Sequence, residues 1–117
     1  MSSRLKEKKE KFLKIIAFLA EDSENGIPIL VEGKKDVRTL RKLGINGLII
    51  TIKTRGKTFL DVISQVKKLE ATQVILLLDF DKSGREDTRC LQKNLEHNKI
   101  NYNLTFWHDL IALTSKE

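Results

Sequence analysis

The sequence is poor in the residue types that build several common kinds of site. It contains one cysteine and one proline in 117 residues. A single cysteine forms no internal disulfide, zinc knuckle or CxxC redox pair, and its isolation favours a reducing, cytoplasmic setting. Aromatic residues make up only 6% of the chain, so no base-stacking platform is evident.

Long hydrophobic runs are also missing. No stretch approaches the roughly 18 uninterrupted apolar residues of a membrane-spanning helix, so we expect no membrane partner. The N-terminus has basic residues followed by an apolar stretch, but Lys14 interrupts that stretch and acidic residues follow at once, unlike a signal peptide. We therefore expect an intracellular protein.

Charge, in contrast, is abundant. The chain carries 22 Lys and Arg against 16 Asp and Glu, a formal net charge of +6. This balance favours an anionic partner, with RNA or DNA the first candidate, although an excess of surface lysine would give the same number. The length predicts one domain.

The apolar residues alternate between helical and strand patterns. Residues 1–25 predict a basic amphipathic helix that packs on a core formed by residues 26–117. Its buried stripe is expected to be Phe12, Ile15, Ile16 and Leu19. Strands are predicted at Ile27–Val31, Leu48–Ile52, Val74–Leu78 and Tyr102–Phe106. Helices are predicted at Lys34–Leu43, Thr58–Leu69, Ser83–Asn98 and Trp107–Leu113.

This order of elements defines a fold class. Strands that are joined by helical crossovers lie parallel, and unbroken apolar strands have both faces covered. The pattern therefore predicts a doubly wound α/β domain with a four-stranded, mainly parallel sheet.

Acidic residues follow two of the predicted strands, at the sheet edge where open α/β folds bind ligands. Glu32 comes directly after the first strand, with Asp36 as a secondary candidate, and Asp79 and Asp81 follow the third. Residues two apart point the same way in extended backbone, so the two aspartates form a pair. Glu32 joins them if the first and third strands are neighbours.

Three clustered carboxylates require a compensating cation or a proton. At ~4 Å each pair repels by about 4 kcal/mol near a protein surface. Oxygen ligands without a nearby histidine or cysteine select a hard ion, Mg²⁺ or Mn²⁺. The alternatives are that Asp81 or Ser83 only caps the next helix and that Glu32 is a solvated strand end.

Basic residues flank the same predicted edge and are interpreted as phosphate contacts or, alternatively, as solvated lysines and arginines. They are Lys34, Lys53, Arg55, Lys57, Lys82 and Arg85.

Two rival motifs are weaker. Gly56-Lys57-Thr58 resembles the end of a Walker A loop, but the glycine required five residues earlier is Thr51. Asp79-Phe80-Asp81 resembles the nucleophile motif of haloacid-dehalogenase-type phosphatases, but too little chain follows it to supply their remaining catalytic residues.

Two segments resemble the motifs of the Toprim family. Val31-Glu32-Gly33-Lys34-Lys35-Asp36-Val37 resembles the first motif, in which a glutamate and a glycine end a strand. Leu76-Leu77-Leu78-Asp79-Phe80-Asp81-Lys82-Ser83-Gly84-Arg85 resembles the second, DxD followed shortly by glycine. One β-α unit separates the two motifs, as in the family, and the resemblance runs from about Ile27 to Phe106.

The resemblance implies a three-layer Toprim fold, with the first and third strands as neighbours. It implies that Asp79 and Asp81 are Mg²⁺ ligands and that Glu32 is a further ligand or a general acid/base. Toprim domains occur in topoisomerases, bacterial-type primases, RecR-like repair proteins, OLD-type nucleases and small ribosomal-RNA maturation nucleases. The sequence shows no tyrosine-bearing topoisomerase domain, zinc-binding cysteines or ATPase. We therefore expect a stand-alone Toprim core that resembles the core of the maturation nucleases and of bacterial-type primases and is closest in size to the maturation nucleases.

The function expected from these residues is a Mg²⁺-dependent, nuclease-like phosphodiester site. Two alternatives remain open. One is a non-catalytic RNA- or DNA-binding module with a structural or vestigial metal site. The other is a subunit of a larger nucleic-acid-processing complex.

Overall fold

The computed structural model of the protein describes residues 3–53 and 56–114. No helix in these ranges is long and apolar enough to cross a lipid bilayer. The elements follow in the order α1 (Ser3–Glu24), β1 (Ile29–Val31), α2 (Lys34–Lys42), β2 (Ile49–Thr51), α3 (Phe59–Lys68), β3 (Gln73–Leu76), α4 (Lys82–His97), β4 (Asn101–Asn103) and α5 (Thr105–Thr114).

The four strands form one parallel sheet in the order β2-β1-β3-β4. Ile29 of β1 pairs with Ile49 of β2 on one side and with Ile75 of β3 on the other. The predicted neighbourhood of the first and third strands is therefore confirmed. The chain passes from β2 on one side of β1 to β3 on the other side, so the direction of winding reverses between β1 and β3, where the carboxyl ends of these two strands meet.

Helices cover both faces of the sheet and create two apolar cores. Leu30 of β1 packs in one core with the buried faces of α3 and α4, represented by Val62 and Leu91. Its neighbours Ile29 and Val31 point to the opposite core, because successive strand residues face opposite ways. This second core is completed by α1, α2 and α5, so the fold has three layers, as the sequence predicts.

The N-terminal helix buries the predicted stripe only in part. Ile16 and Leu19 are buried, whereas Phe12 and Ile15 are partly covered at the margin of the second core. The helix packs mainly against α5.

The predicted boundary between the fourth strand and the last helix is wrong. The strand expected over Tyr102–Phe106 ends at Asn103, and Phe106 lies in α5 with its ring in the second core. The Asn103 side chain accepts a hydrogen bond from the backbone N–H of Thr105 at 2.7 Å, which turns the chain into the helix. The alternation of polar and apolar residues across this turn resembles a strand only by coincidence.

The start of α4 lies unusually close to the segment that leaves β3. A Cβ atom added to Gly84 would lie 2.0 Å from the backbone oxygen of Asp79. This contact is with backbone, which has little room to move away. Only glycine therefore lets α4 begin directly against the Asp79 segment.

We expect Gly84→Ala to lower the free energy of unfolding by about 1–3 kcal/mol, the usual cost of overpacking. Urea denaturation measures the loss. Gly33→Ala is the matched control. Gly33 is the N-cap residue of α2, and no atom lies within 4 Å of a Cβ added there. Equal stability of Gly84→Ala and the wild-type protein would contradict the close approach.

Candidate metal and nucleic-acid site

The parallel strands deliver Glu32 and Lys53 to the same point of the sheet edge. Glu32 directly follows β1, and Lys53 lies two residues beyond β2. The β1–β2 ladder continues past both strands, because the Lys53 backbone N–H donates to the Glu32 carbonyl oxygen at 2.9 Å. The two side chains therefore start from adjacent backbone positions.

Glu32 is a buried carboxylate with one unpaired oxygen. The residue is 7% exposed. Its Oε2 atom lies 2.9 Å from the Lys53 Nζ atom, while Oε1 is buried without a hydrogen-bond partner among the residues that the structure describes. The alternative of a solvated strand end is therefore excluded. An orphaned carboxylate oxygen is costly in a protein interior, and a bound cation would satisfy it.

Lys53 supplies a positive charge at this edge. Besides Glu32, its ammonium lies 3.3 Å from the Asp87 carboxylate and 3.4 Å from the Ser83 hydroxyl, both on α4. Its contacts to Glu32 and, next, Asp87 raise the pKa of Lys53 well above its usual value. Lys53 therefore stays protonated and links the ends of β1 and β2 to α4.

Asp79 lies in the field of the other acids. Asp79 is exposed at the surface, but partial desolvation still raises the pKa of its carboxyl first, and the negative charges of Asp36, Glu32 and Asp81 raise it further, against an opposing effect of Lys53. Two sequence segments that are more than forty residues apart thus bring four carboxylates into one electrostatic neighbourhood.

Two of these acids also cap helices. Asp81 Oδ1 accepts the backbone N–H of Gly84 at 2.7 Å at the start of α4. Asp36 Oδ2 accepts the backbone N–H of Gly33 at 3.0 Å at the start of α2. The capping interpretation of Asp81 is therefore confirmed, and capping engages one named oxygen of each carboxylate.

The donor set fits a hard divalent ion by chemistry, although the side chains do not form a closed cage. Within residues 3–53 and 56–114, no three His, Cys, Asp or Glu side chains converge closely enough to hold a metal ion. The acids nevertheless offer oxygen ligands only, and the Oε1 atom of Glu32 is a buried acceptor without a hydrogen-bond partner in the described structure. This is the ligand type that Mg²⁺ and Mn²⁺ prefer.

The predicted phosphate contacts divide into three groups. Lys34, Lys82 and Arg85 are exposed in the first turns of α2 and α4, beside the acidic edge. Lys57 turns back and donates to the Thr51 carbonyl oxygen at 2.8 Å, and Lys53 is held in its ion pairs. Arg55 lies outside the described residues.

Asp87 and Ser83 are the site residues that sequence reasoning missed. They lie four positions apart on α4 and therefore on one helix face. Each is followed by a small buried residue of α4, Gly84 after Ser83 and Thr88 after Asp87. This spacing of small residues indicates the inward face of the helix and was the available signal.

Removing the positive charge of Lys53 should destabilise the protein. Lys53→Met leaves the Glu32 charge buried without its ion pair. We expect the free energy of unfolding at pH 7 to fall by about 1–3 kcal/mol, less than the 3–5 kcal/mol of a fully buried pair because Lys53 is half exposed.

The pH dependence gives this prediction a sign. A raised lysine pKa contributes stability that is fully present below the unfolded value of about 10.4 and is lost as pH rises through the folded value. The wild-type and Lys53→Met proteins should therefore converge only in strongly alkaline solution, as measured by urea denaturation between neutral and alkaline pH. Lys93→Met, at an exposed position of α4, is the control and should cost less than about 0.5 kcal/mol. Equal losses in the two variants would refute the role of Lys53.

Removing a charge from the acidic group should have the opposite effect. In EDTA at pH 7, we expect Asp79→Asn to raise the melting temperature by a few degrees, which corresponds to a gain of up to about 1 kcal/mol in the free energy of unfolding. The advantage should fade as pH falls through the raised pKa of Asp79 toward its ordinary value of 3.8, because the wild-type carboxyl then becomes neutral. Glu10→Gln, on the lysine-rich α1, should give no such gain. A destabilised Asp79→Asn protein would contradict the repulsion.

Comparison with known proteins agrees with this geometry. Residues 26–104 match the family described as the Toprim domain. A UPF0292 protein of Methanocaldococcus jannaschii is 36% identical over 91% of this chain and 80% of its own length. A UPF0292 protein of Archaeoglobus fulgidus is 39% identical over 73% of this chain and 63% of its own.

A solved structure has the same fold. A protein from Aquifex aeolicus superposes with a TM-score of 0.76 at 28% identity, covering 85% of this chain and 87% of that one. Sequence, sheet order and the acidic strand ends therefore lead to one assignment: the chain belongs to the Toprim domain family and is a relative of the small archaeal UPF0292 proteins.

Proposed function

We propose that this protein holds Mg²⁺ or Mn²⁺ on Glu32, Asp79 and Asp81 and processes the phosphodiester backbone of RNA or DNA as a nuclease-like enzyme. The observation that carries the proposal is the buried Glu32 carboxylate, whose Oε1 has no partner in the described structure although Asp79 senses its charge. Buried polar atoms of folded proteins nearly always have a hydrogen-bond partner, and a bound cation would supply one to this oxygen.

The charges around the acids match a polyanionic substrate. A bound Mg²⁺ would supply Lewis-acid polarisation of a backbone phosphate. Lys34, Lys82 and Arg85 are exposed beside the acids and would hold neighbouring phosphates, with Arg55 and Lys57 as further candidates. Asp36 is a secondary candidate ligand.

Glu32 and Lys53 would have distinct roles. Glu32 would complete the metal shell or move a proton to or from the reacting group, since its unpaired oxygen is held at the sheet edge. Lys53 forms an ion pair with Glu32, and because its side chain is half exposed it could also contact a phosphate oxygen.

The test is cleavage of mixed RNA and DNA strands in Mg²⁺, in Mn²⁺ and in EDTA. We expect cleavage in either metal and none in EDTA. Glu32→Gln, Asp79→Asn and Asp81→Asn should each lose about 10²-fold or more of the rate, the range for a lost ligand or acid/base group. Glu10→Gln is the matched control on α1. The proposal fails if the three site variants cleave like the wild-type protein.

Metal binding can also be measured independently of cleavage, from the thermal stability of the protein. Mg²⁺ at about 100 times its Kd should stabilise the native protein by about 2.7 kcal/mol. The corresponding rise in melting temperature should be lost in Asp79→Asn. An equal rise in both proteins would remove Asp79 from the metal shell.

A second candidate function is a nucleic-acid-binding module, alone or within a larger processing complex. It is favoured by two observations: Lys53 already forms an ion pair with Glu32, and the described carboxylates do not converge into a closed cage. On this hypothesis, binding to RNA or DNA persists in EDTA, falls steeply with salt and is accompanied by no cleavage.

A further inference from the structure

An exposed aromatic ring lies inside the acidic motif. Phe80 stands between Asp79 and Asp81 and is 38% exposed, although large apolar side chains in this fold are mostly buried. Among the described residues, the other aromatic side chain with comparable exposure is Phe18 on α1. Phe80 therefore combines an apolar surface with the most polar edge of the molecule.

The Phe80 ring is supported from behind. It meets the Trp107 indole edge-on, with ring centroids 6.1 Å apart and an interplanar angle of 69°. Trp107 is itself buried, and its Nε1–H donates to the Leu78 carbonyl oxygen at 2.7 Å. This hydrogen bond anchors Trp107 to the segment that leaves β3, so the contact restricts how Phe80 can move.

A cavity opens in front of the same segment. It has a volume of about 510 Å³ and is lined by Phe80, by Asp79 and Asp81, and by apolar side chains that include Phe12 and Leu40. Its size lies within the range of about 300–1,000 Å³ that holds small-molecule-sized groups. An uncharged, flat and apolar group fits this lining. A charged group attached to it would have to lie at the rim of the cavity, beside the acids.

A nucleotide in a single strand has this division of properties. Its base presents a flat apolar face, and its phosphate is anionic, whereas a base stacked inside a duplex presents no free face. A purely apolar protein segment would not use Lys34, Lys82 and Arg85, which are exposed in the first turns of the helices that follow Glu32 and Asp81.

We infer that Phe80 is the stacking surface for one unstacked base of a single-stranded nucleic acid, whose adjacent phosphate lies at the Glu32/Asp79/Asp81 edge. The inference rests on the proposed function and adds its substrate class: single strands in preference to duplexes. Phe80 contacts the substrate directly, and Trp107 is a positioning residue that acts through Phe80.

The test measures fluorescence anisotropy of a labelled mixed-sequence single strand, as RNA and as DNA. A second strand of the same length carries abasic sugars at its central positions, which keeps the phosphates and removes the bases. Binding is measured in Ca²⁺, which also takes oxygen ligands, and the strands are checked for integrity on a gel. A duplex of the same sequence completes the set.

We expect the wild-type protein to bind the intact strand roughly tenfold more tightly than the abasic strand, because one base stacked on an aromatic side chain is worth about this much. Phe80→Leu should lose this preference, whereas Phe80→Tyr, which keeps a flat ring, should retain it. Phe18→Leu is the matched control at an exposed phenylalanine outside the cavity and should bind like the wild-type protein. Trp107, the only tryptophan, should change its fluorescence with the intact strand alone.

The outcomes separate this inference from the proposed function. Salt-sensitive binding of the wild-type protein to intact and abasic strands with equal affinity overturns the stacking role and leaves the phosphodiester site standing. The same holds if Phe80→Leu keeps the full preference for the intact strand. Absence of binding to every strand by the wild-type protein overturns both. Because the comparison of strands uses the wild-type protein, the result does not depend on the folding of any variant.

Discussion

The architecture of the sheet edge depends on a buried carboxylate, Glu32, and on the cation that makes its burial tolerable. Desolvating a carboxylate costs several kcal/mol unless a partner compensates it. Parallel pairing of β1 with β2 supplies that partner, because Lys53 donates its backbone N–H to Glu32 and extends its ammonium to the same residue. Asp87 and Ser83 on α4 hold the ammonium from the other side. The Lys53 ammonium thus connects the ends of β1 and β2 with α4, while the Oε1 atom of Glu32 is left unpaired.

The acidic motif after β3 combines opposing contributions to stability. Asp81 caps α4 and Gly84 lets that helix start against the Asp79 backbone, both of which favour the fold. The same close packing holds Asp79 among other negative charges, which disfavours its ionised form. Repulsion that is retained within a well-capped segment is typical of functional sites, where the arrangement is stabilised by what binds there.

The sequence predicted what depends on strand order and missed what depends on the rotation of a helix. The position of Glu32 and Asp79 at one edge is predictable because residues after neighbouring parallel strands must share that edge. Asp87 was missed because its spacing from Ser83 defines a common helix face without saying which element that face meets. Predicted strands were also longer than observed: Ile52 and Leu78 are buried although they lie beyond β2 and β3. Apolar runs report burial, and burial continues past the last strand residue.

The site is divided between the segment that matches the Toprim domain and the helices that flank it. The acids and Lys53 lie within residues 26–104, which match the Toprim domain. The apolar wall of the adjoining cavity comes partly from outside that range, since Phe12 belongs to α1 and Leu110 to α5, as does Trp107 behind Phe80. The Toprim core thus supplies the charged edge, and the flanking helices supply part of the apolar wall beside it. Under the proposed function, the flanking helices would help to determine which group of a nucleotide is recognised, and the core would determine what happens to its phosphate.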